Sequence, residues 1–384
     1  MAVEFKIAGL DYRSATVGVR EKFSFTESGR RELLREIAPR VREAVLISTC
    51  NRTELVVVSE EEPAGLLQRA RGGGNFFSLS GEAVVERVFE IAAGLHSQIP
   101  LEDQILGQMK EALLLARQEK VCGALLGQLF QRAVAAGKEI RTKFKALPHE
   151  ASAAAVACAE ASAFYKSLKG VRALVVGSGE MGMAAAKLLV ERGAEVRMTQ
   201  RRRRKDGVRP PAGAALIAYD ARYEALRECS LVICATASPH CVLAAEDFSD
   251  DGAKRLMIDL AVPRDIDPAF AERPSVTLVD MDGLGCKALP EGFMREIRKS
   301  FEANIKRFHE WLDVHECVPY IENICSFAER EMVEGLGCES EEERLRVKEA
   351  SRAMMNKLLF SMKKGVDMDM AKECYRALSK GVRA

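Results

Sequence analysis

One stretch near the middle of the chain restricts the possible folds more than any other. Arg172-Ala-Leu-Val-Val176 has the composition of a buried strand and leads directly into Gly177-Ser-Gly-Glu-Met-Gly182. A helical pattern follows to about Arg192, and residues 195–198 form a second strand pattern. Strand, G-x-G-x-x-G, helix and strand in this order are the context that a dinucleotide-binding fingerprint requires.

This loop and the strand after it predict the contacts to the dinucleotide. The glycines allow the backbone to approach a pyrophosphate above the positive end of a helix. The predicted loop contacts are Gly177, Ser178, Gly179, Glu180, Met181 and Gly182. The second strand ends at Thr199-Gln200 and is followed by Arg201-Arg-Arg-Arg-Lys205. Positive charge there favours a 2′-phosphate, hence NADPH, with Arg201 as the contact. A solvated loop or a contact to a polyanion such as RNA also fits these cations.

A second motif, Ser48-Thr-Cys-Asn-Arg-Thr-Glu54, places a cysteine between two short strand patterns at residues 44–47 and 55–58. A link between strands can hold a side chain toward a pocket, and a cysteine thiolate is a strong nucleophile. The guanidinium of Arg52 would favour the thiolate or hold a carboxylate. The alternative is that Cys50 is a small hydrophobic residue packed at a strand end.

The composition bounds the class of protein. The 384 residues suit two or three domains, and the net charge of +1 indicates no general affinity for nucleic acid. The 11 cysteines include no C-x-x-C pair, and the five histidines show no metalloprotease spacing, so no metal site is expected. Unpaired thiols, no signal-peptide pattern and no apolar run of bilayer length predict a soluble, cytoplasmic protein without a membrane contact.

The patterns along the chain predict a multidomain α/β protein. Residues 1–150 mix strands and helices in an α+β catalytic domain, with Pro148 near its end. Residues 151–290 form a doubly wound Rossmann-type NADP domain, with further strands at 216–219, 231–235, 256–260 and 276–279. Residues 291–318 form one long connecting helix that ends at Pro319, and residues 319–384 form an all-helical domain that makes a homodimer. In the alternative, these last helices pack back on the same chain.

Taken together, these motifs resemble the glutamyl-tRNA reductase family over nearly the whole chain. The cysteine motif and the glycine loop carry the resemblance, and residues 103–110, 259–265 and 356–359 add to it. The resemblance implies that the Cys50 thiolate attacks the ester carbon of glutamyl-tRNA(Glu) and forms a thioester. NADPH then reduces it to glutamate-1-semialdehyde, the first step of tetrapyrrole (haem) synthesis. The unstable aldehyde would pass to glutamate-1-semialdehyde aminomutase.

The resemblance also implies a glutamyl pocket, in which Arg52 grips the γ-carboxylate. Its expected members are Thr49, Asn51, Arg52, Ser97, Glu102, Asp103, Gln104 and Gln108. Taken alone, Gln104 and Gln108 would simply be solvated residues of one helix face, and Ser97 and Glu102 would be cap and turn residues.

Several positions depart from the family pattern. Arg87 replaces a histidine important for activity, and we expect it to stabilise an oxyanion or to lower the thiol pKa. Asp11-Tyr-Arg-Ser14 replaces Asn-His-x-Thr/Ser, His96 replaces an aspartate, and Leu101 replaces a glycine. Gln200 replaces an asparagine, and Phe360-Ser-Met362 replaces His-x-Pro. His96 is a candidate replacement for the missing imidazole. The alternatives to a reductase are an inactive paralogue that binds or regulates in haem synthesis, and a reductase of another thioester.

Overall fold

The computed structural model describes residues 4–102, 104–144, 152–200, 209–284, 291–336 and 340–362. The chain divides into two compact units, Met1–Glu302 and Ala303–Ala384. Among the positions singled out above, Asp103, Pro148 and the cations from Arg201 to Lys205 lie outside the described residues. The domain boundary near Pro148 therefore stays a prediction.

The N-terminal part of the first unit is built on an antiparallel sheet of four strands in the order β2-β3-β1-β4. Its strands are β1 Phe5–Asp11, β2 Glu43–Ser48, β3 Arg52–Val58 and β4 Phe77–Ser80. All seven residues of β1 and of β3 are buried, because β1 and β3 lie in the middle of the sheet and helices cover it. The sequence patterns predicted β1 to β3; β4 was missed because it has only four residues, of which two are half-buried and two are exposed.

Six helices accompany this sheet. They are α1 Val17–Arg20, α2 Glu27–Ile37, α3 Pro63–Arg71, α4 Glu82–Ala93, α5 Gln104–Gln118 and α6 Ala124–Lys143. Apolar residues at helical spacing give α4 its buried face, which includes Val85, Val88, Phe89 and Ala92 as predicted. Gly94 has a left-handed conformation and ends α4.

A second sheet, of six parallel strands, follows in the order β10-β9-β8-β5-β6-β7. Its strands are β5 Arg172–Val176, β6 Glu195–Gln200, β7 Ala214–Ala218, β8 Leu231–Cys234, β9 Arg255–Asp259 and β10 Val276–Val279. The associated helices are α7 Ala153–Tyr165, α8 Glu180–Glu191 and α9 Arg222–Glu228. Alternate residues of β5 enter two separate hydrophobic cores, Ala173 and Val175 on one face and Leu174 and Val176 on the other. The predicted doubly wound sheet is therefore confirmed.

The strand order places the expected dinucleotide crevice between β5 and β8. Strand order reverses at this point, and ligands of such sheets bind outside the carboxyl ends of the two strands. The strands approach each other closely there, since a Cβ added to Gly177 would lie 2.4 Å from the carbonyl oxygen of Ala235.

The C-terminal part of the described chain is helical, with α10 Glu291–Gly335 and α11 Glu341–Met362. The prediction that Pro319 ends the first helix is wrong, because α10 continues through it. A proline removes one hydrogen bond and strains one turn, a local penalty that a helix of 45 residues can carry. None of the described helices offers the long apolar stretch that crossing a bilayer requires.

A buried carboxylate joins the first sheet to α6 and provides a test of this part of the fold. Glu43 on β2 accepts hydrogen bonds from the backbone N–H groups of Leu125 and Leu126, at 3.1 and 2.8 Å. We expect Glu43→Ala to lower the free energy of unfolding by about 2–3 kcal/mol, because two buried donors lose a charged acceptor. Urea unfolding would measure the change. Glu27 is exposed in the first turn of α2, so Glu27→Ala should lower the free energy of unfolding much less. Equal decreases in the two variants would contradict this account.

Candidate active site

Cys50 lies on the tight link between β2 and β3. The link is held by backbone hydrogen bonds from Thr49 N to Arg52 O, at 2.8 Å, and from Tyr12 N to Asn51 O, at 2.9 Å. The side chain of Thr49 accepts a third, from Asn51 N at 3.2 Å. Cys50 itself is half-buried and packs against one of the two cores of the six-stranded sheet. The thiol of the cysteine motif is therefore at the boundary with the dinucleotide-binding part.

The surroundings of Cys50 favour the protonated thiol. Burial raises the pKa of Cys50 to about 12, and the negative charge of Glu102 acts in the same direction. The positive charges of Arg20 and Arg52 oppose this shift and lower the pKa. The prediction that Arg52 favours the thiolate thus has the right sign, but burial outweighs it. No sequence pattern singled out Arg20, whose Nε donates to the carbonyl oxygen of Cys50 at 3.1 Å.

Arg52 and Arg87 belong to one buried cluster of opposite charges with Asp11 and Glu54. Residues 52 and 54 share one face of β3, and Asp11 lies opposite Arg52 on β1. Arg52 donates to Glu54 at 3.2 Å, and Arg87 on α4 donates to Glu54 at 2.7 Å and to Asp11 at 2.9 Å. Burial would raise the pKa of Asp11, but the hydrogen bond and charge of Arg87 outweigh it and hold that pKa below its usual value.

His96, the candidate replacement imidazole, is tied into the same cluster. Its Nε2 lies 2.6 Å from Glu90, and its Nδ1 lies 3.3 Å from both Arg87 and Arg13. Burial and the charge of Arg87 hold the pKa of His96 below its usual value, so the ring is neutral at pH 7. Two arginine donors face Nδ1, which assigns the ring proton to Nε2 and its hydrogen bond to Glu90. Both ring nitrogens of His96 therefore already have hydrogen-bond partners.

Three of the departures from the family pattern thus belong to one connected set of hydrogen bonds. Arg87 contacts both Asp11 and His96, and Arg13, at the variable position of its motif, also contacts His96. Leu101 is a different case: its φ is +60°, the left-handed conformation that a glycine adopts without strain. A leucine therefore stands in a conformation that suits glycine, at a strain of about 1–2 kcal/mol.

Four buried polar atoms near this cluster have no hydrogen-bond partner among the described residues. They are Asn51 Oδ1, Arg52 Nε, Ser97 Oγ and Gln98 Oε1. The residues are neighbours, since Asn51 and Arg52 are consecutive and a guanidinium nitrogen of Arg52 donates to the carbonyl oxygen of His96, next to Ser97 and Gln98. Buried polar groups are costly unless paired, so such atoms indicate a place that a polar ligand occupies. Three of the four residues belong to the predicted glutamyl pocket; Gln98 was missed.

The other predicted pocket residues lie on the following segment. Glu102 is buried, and its carbonyl oxygen accepts a hydrogen bond from Arg141 at 2.6 Å. Gln104 begins α5 and Gln108 lies one turn later, and both are half-buried. Because both are at helical spacing i and i+4, they share one face as predicted.

The glycine loop has the shape that a pyrophosphate needs. Gly179 precedes α8, and no side chain caps the helix start. A Cβ at Gly179 would meet no atom within 4 Å, so the space above it is open. A Cβ at Gly182 would lie 2.1 Å from the carbonyl oxygen of Gly177, so this glycine is needed for the turn itself. β6 ends at Gln200 without the carboxylate that would repel a 2′-phosphate. The residues present therefore fit NADPH.

The fold and the site together define a class of protein. It is a dinucleotide-dependent oxidoreductase that carries a thiol beside its doubly wound sheet. Comparison with known families identifies the particular oxidoreductase family. Residues 8–144 match the family model of the glutamyl-tRNAGlu reductase N-terminal domain, and residues 159–286 match that of shikimate/quinate 5-dehydrogenase. The chain belongs to the glutamyl-tRNA reductase family, which confirms the resemblance drawn from the motifs.

Individual relatives agree with this assignment. The chain is 36% identical to a glutamyl-tRNA reductase of Acetivibrio thermocellus, over 80% of this chain and 96% of the relative. It is 32% identical to one of Alkaliphilus oremlandii, over 86% and 98%. The solved glutamyl-tRNA reductase of Methanopyrus kandleri matches with a TM-score of 0.53 and 23% identity, over 99% of this chain and 98% of that one. This last likeness supports the fold.

The second and third glycines of the loop, Gly179 and Gly182, separate binding from folding. We expect Gly179→Ala to keep the melting temperature and to weaken NADPH binding by about tenfold or more, because the added methyl group occupies the space above the helix start. Gly182→Ala should lower both, because its methyl group strikes the Gly177 carbonyl. Thermal melting and fluorescence titration with NADPH would measure the two quantities. Unchanged NADPH affinity in Gly179→Ala would contradict the assignment of the loop.

The pKa of Cys50 predicts how its reactivity depends on pH. Because only the thiolate is alkylated and the pKa is about 12, we expect the rate with iodoacetamide to rise about tenfold per unit between pH 7 and 10. Glu102→Gln removes a charge that raises this pKa, so alkylation at pH 8 should become faster. Mass spectrometry of the Cys50 peptide would follow the rate. A rate that levels off below pH 9 would show that the thiol is more acidic than its surroundings indicate.

Proposed function

We propose that this chain reduces glutamyl-tRNA(Glu) to glutamate-1-semialdehyde with NADPH, through a thioester on Cys50. This is the first step of the five-carbon route to tetrapyrroles. The observation that carries the proposal is the position of Cys50. It lies on the link between β2 and β3, packs against the core of the dinucleotide-binding domain and adjoins buried polar atoms that have no hydrogen-bond partner in the described part of the chain.

The first step is attack of the Cys50 sulfur on the ester carbon of the aminoacyl group. A C–S bond forms, the ester C–O bond breaks, and the tRNA hydroxyl leaves with the proton of the thiol. The ester is already activated, so the step does not require a strong acid–base pair. The positive charges of Arg20 and Arg52 offset part of the burial that disfavours the thiolate.

The second step converts the thioester to an aldehyde. NADPH supplies a hydride when it is bound. The hydride would add to the thioester carbon, the C–S bond breaks with its electron pair going to sulfur, and the thiolate of Cys50 takes a proton from solvent to return as a thiol. The hydrophobic core beside Cys50 keeps water from the thioester, which would otherwise hydrolyse to glutamate.

The glutamyl group needs charged and polar partners, and we assign them to the unpartnered atoms. Arg52 Nε and its remaining guanidinium hydrogens would face the γ-carboxylate, although Glu54 already neutralises part of its charge. Asn51 Oδ1, Ser97 Oγ and Gln98 Oε1 can accept hydrogen bonds from the α-ammonium group. Thr49, Glu102, Asp103, Gln104 and Gln108 stay predicted members of the pocket.

Arg87 is better suited to positioning than to chemistry. Its guanidinium is held by Glu54 and Asp11 and stacks on the ring of Phe77, 4.4 Å from the ring centre. An arginine does not exchange protons near neutral pH. We therefore propose that Arg87 fixes Glu54, and through it Arg52.

Partners and location follow as proposals. The helices after residue 318 would form a homodimer, and the aldehyde would pass to glutamate-1-semialdehyde aminomutase because it is unstable in water. A cytoplasmic location is supported by the cysteines whose side chains the structure describes, all of which are free thiols suited to a reducing compartment.

The test uses charged glutamyl-tRNA with and without NADPH. We expect NADPH consumption and aldehyde in the complete mixture, and glutamate attached to Cys50 when NADPH is omitted. Cys50→Ser should lower turnover by at least about a thousandfold, because an alkoxide is harder to form than a thiolate. Cys241→Ser, at an exposed thiol, should leave turnover unchanged. Turnover by Cys50→Ser at a rate close to that of the parent would refute the thioester. If the parent binds tRNA but forms neither adduct nor aldehyde, the result would favour a regulatory paralogue.

A further inference from the structure

The guanidinium of Arg20 joins the Cys50 loop to the dinucleotide-binding domain. Its Nε donates to the carbonyl oxygen of Cys50 at 3.1 Å, and its Nη1 and Nη2 each donate to Asp282 Oδ1 at 2.9 Å. Asp282 follows β10 of the parallel sheet, whereas Arg20 ends α1 of the N-terminal part. Arg20 is only 2% exposed. One side chain therefore connects the residue that would carry the acyl group with the domain that would carry the hydride donor.

The same carboxylate also holds the start of α1. Asp282 Oδ2 accepts a hydrogen bond from the backbone N–H of Val17 at 2.7 Å, and Arg20 Nη1 donates to the carbonyl oxygen of Ala15 at 2.8 Å. Both oxygens of Asp282 are therefore committed to α1, one at each end. A displacement of Asp282 would shift α1 as a unit and, through Arg20, the main chain of Cys50.

Two neighbouring contacts cross the same boundary. Arg264 donates two hydrogen bonds, at 2.6 and 3.0 Å, to Glu21, the residue that directly follows Arg20 in the chain. The side-chain amide of Gln98 donates to the carbonyl oxygen of Met281, directly before Asp282. The segment at residues 281–282 is thus held both by α1 and by a residue next to the predicted glutamyl pocket.

We propose that Arg20 and Asp282 are positioning residues that set the Cys50 sulfur relative to the dinucleotide-binding domain, and that hydride transfer depends on them far more than acylation does. The inference rests on the proposed function. Acylation requires only the thiol and the ester, both of which lie on the N-terminal part. Hydride transfer requires the thioester carbon and the hydride donor to approach within bonding distance across the boundary, and a misplacement of about 1 Å can cost a hundredfold in rate.

Asp282→Asn is a sharper test than removal of the Arg20 side chain. The charge of Arg20 lowers the thiol pKa, so removing it would affect both acylation and hydride transfer. Asparagine has the same shape, but one of its two oxygens becomes an NH2 group, so the ion pair and one acceptor are lost. Arg20→Lys is the second variant: it keeps the charge near Cys50 and lacks the fork that reaches both partners.

The matched control is Asp251→Asn. Asp251 pairs with the two terminal nitrogens of Arg255, with side-chain exposures of 37% and 1%, against 33% and 2% for Asp282 and Arg20. The Nε of Arg255 also donates to a main-chain carbonyl, that of Leu226. Both pairs join a buried arginine to a partly exposed aspartate through its two terminal nitrogens, but the control pair lies wholly within the dinucleotide-binding domain.

Two single-turnover measurements separate the steps. Acylation is followed as radiolabelled glutamate on Cys50 without NADPH, and reduction as loss of NADPH absorbance after NADPH is added to preformed adduct. In Asp282→Asn and in Arg20→Lys we expect acylation within about threefold of the parent and reduction slower by about tenfold or more. Asp251→Asn should change neither rate. Thermal melting confirms that each variant is folded.

The outcomes distinguish the inference from the function on which it rests. A reduction rate in Asp282→Asn and Arg20→Lys equal to that of the parent would overturn the inference, as would an equal loss of both rates. Failure of the parent protein to form the adduct would count against the proposed function. If Asp282→Asn does not fold, Arg20→Lys decides by the same two rates.

Discussion

The buried cluster of Asp11, Arg52, Glu54 and Arg87 is the constraint on which the rest of the N-terminal part depends. Removing charges from water costs several kcal/mol per ion, so such a cluster survives only when every charge has a partner. Here two carboxylates face two guanidinium groups, and His96 and Arg13 extend the network. The cluster fixes β3 and α4 against each other and therefore fixes the strand on which the Cys50 motif ends. Removing the charge of any one of the four residues leaves the cluster with a net charge that the other three do not balance.

That constraint explains why the departures from the family pattern occur together. A histidine replaced by Arg87 adds a permanent positive charge, which would be uncompensated in a neutral setting. Asp11 supplies the matching negative charge, and His96 stays neutral between two arginines. The cluster is balanced as it stands, so the departures by themselves are no argument for a damaged site. The proposed role of Arg87 as a positioning residue follows from the same balance.

The thiol of Cys50 illustrates a compromise between protection and reactivity. Burial against the dinucleotide-binding core would protect the proposed thioester from water, and it raises the pKa of the Cys50 thiol to about 12. Arg20 and Arg52 oppose this effect, and Arg20 is itself held by Asp282 of the other domain. Arg20, which we propose positions the sulfur, therefore also lowers the pKa of the Cys50 thiol.

The sequence by itself determined the elements whose signals are local. Apolar periodicity and glycine spacing fixed β1 to β3, the doubly wound sheet and the dinucleotide loop, because each depends on residues close together in the chain. The course of α10 through Pro319 was missed, since one proline is a weaker signal than the surrounding helix. Only the tertiary structure could bring Arg20 to Asp282, Gln98 to Met281 and His96 to Arg87. These pairs are distant in sequence or in different elements, and a buried arginine looks the same as a solvated one until the fold shows what surrounds it.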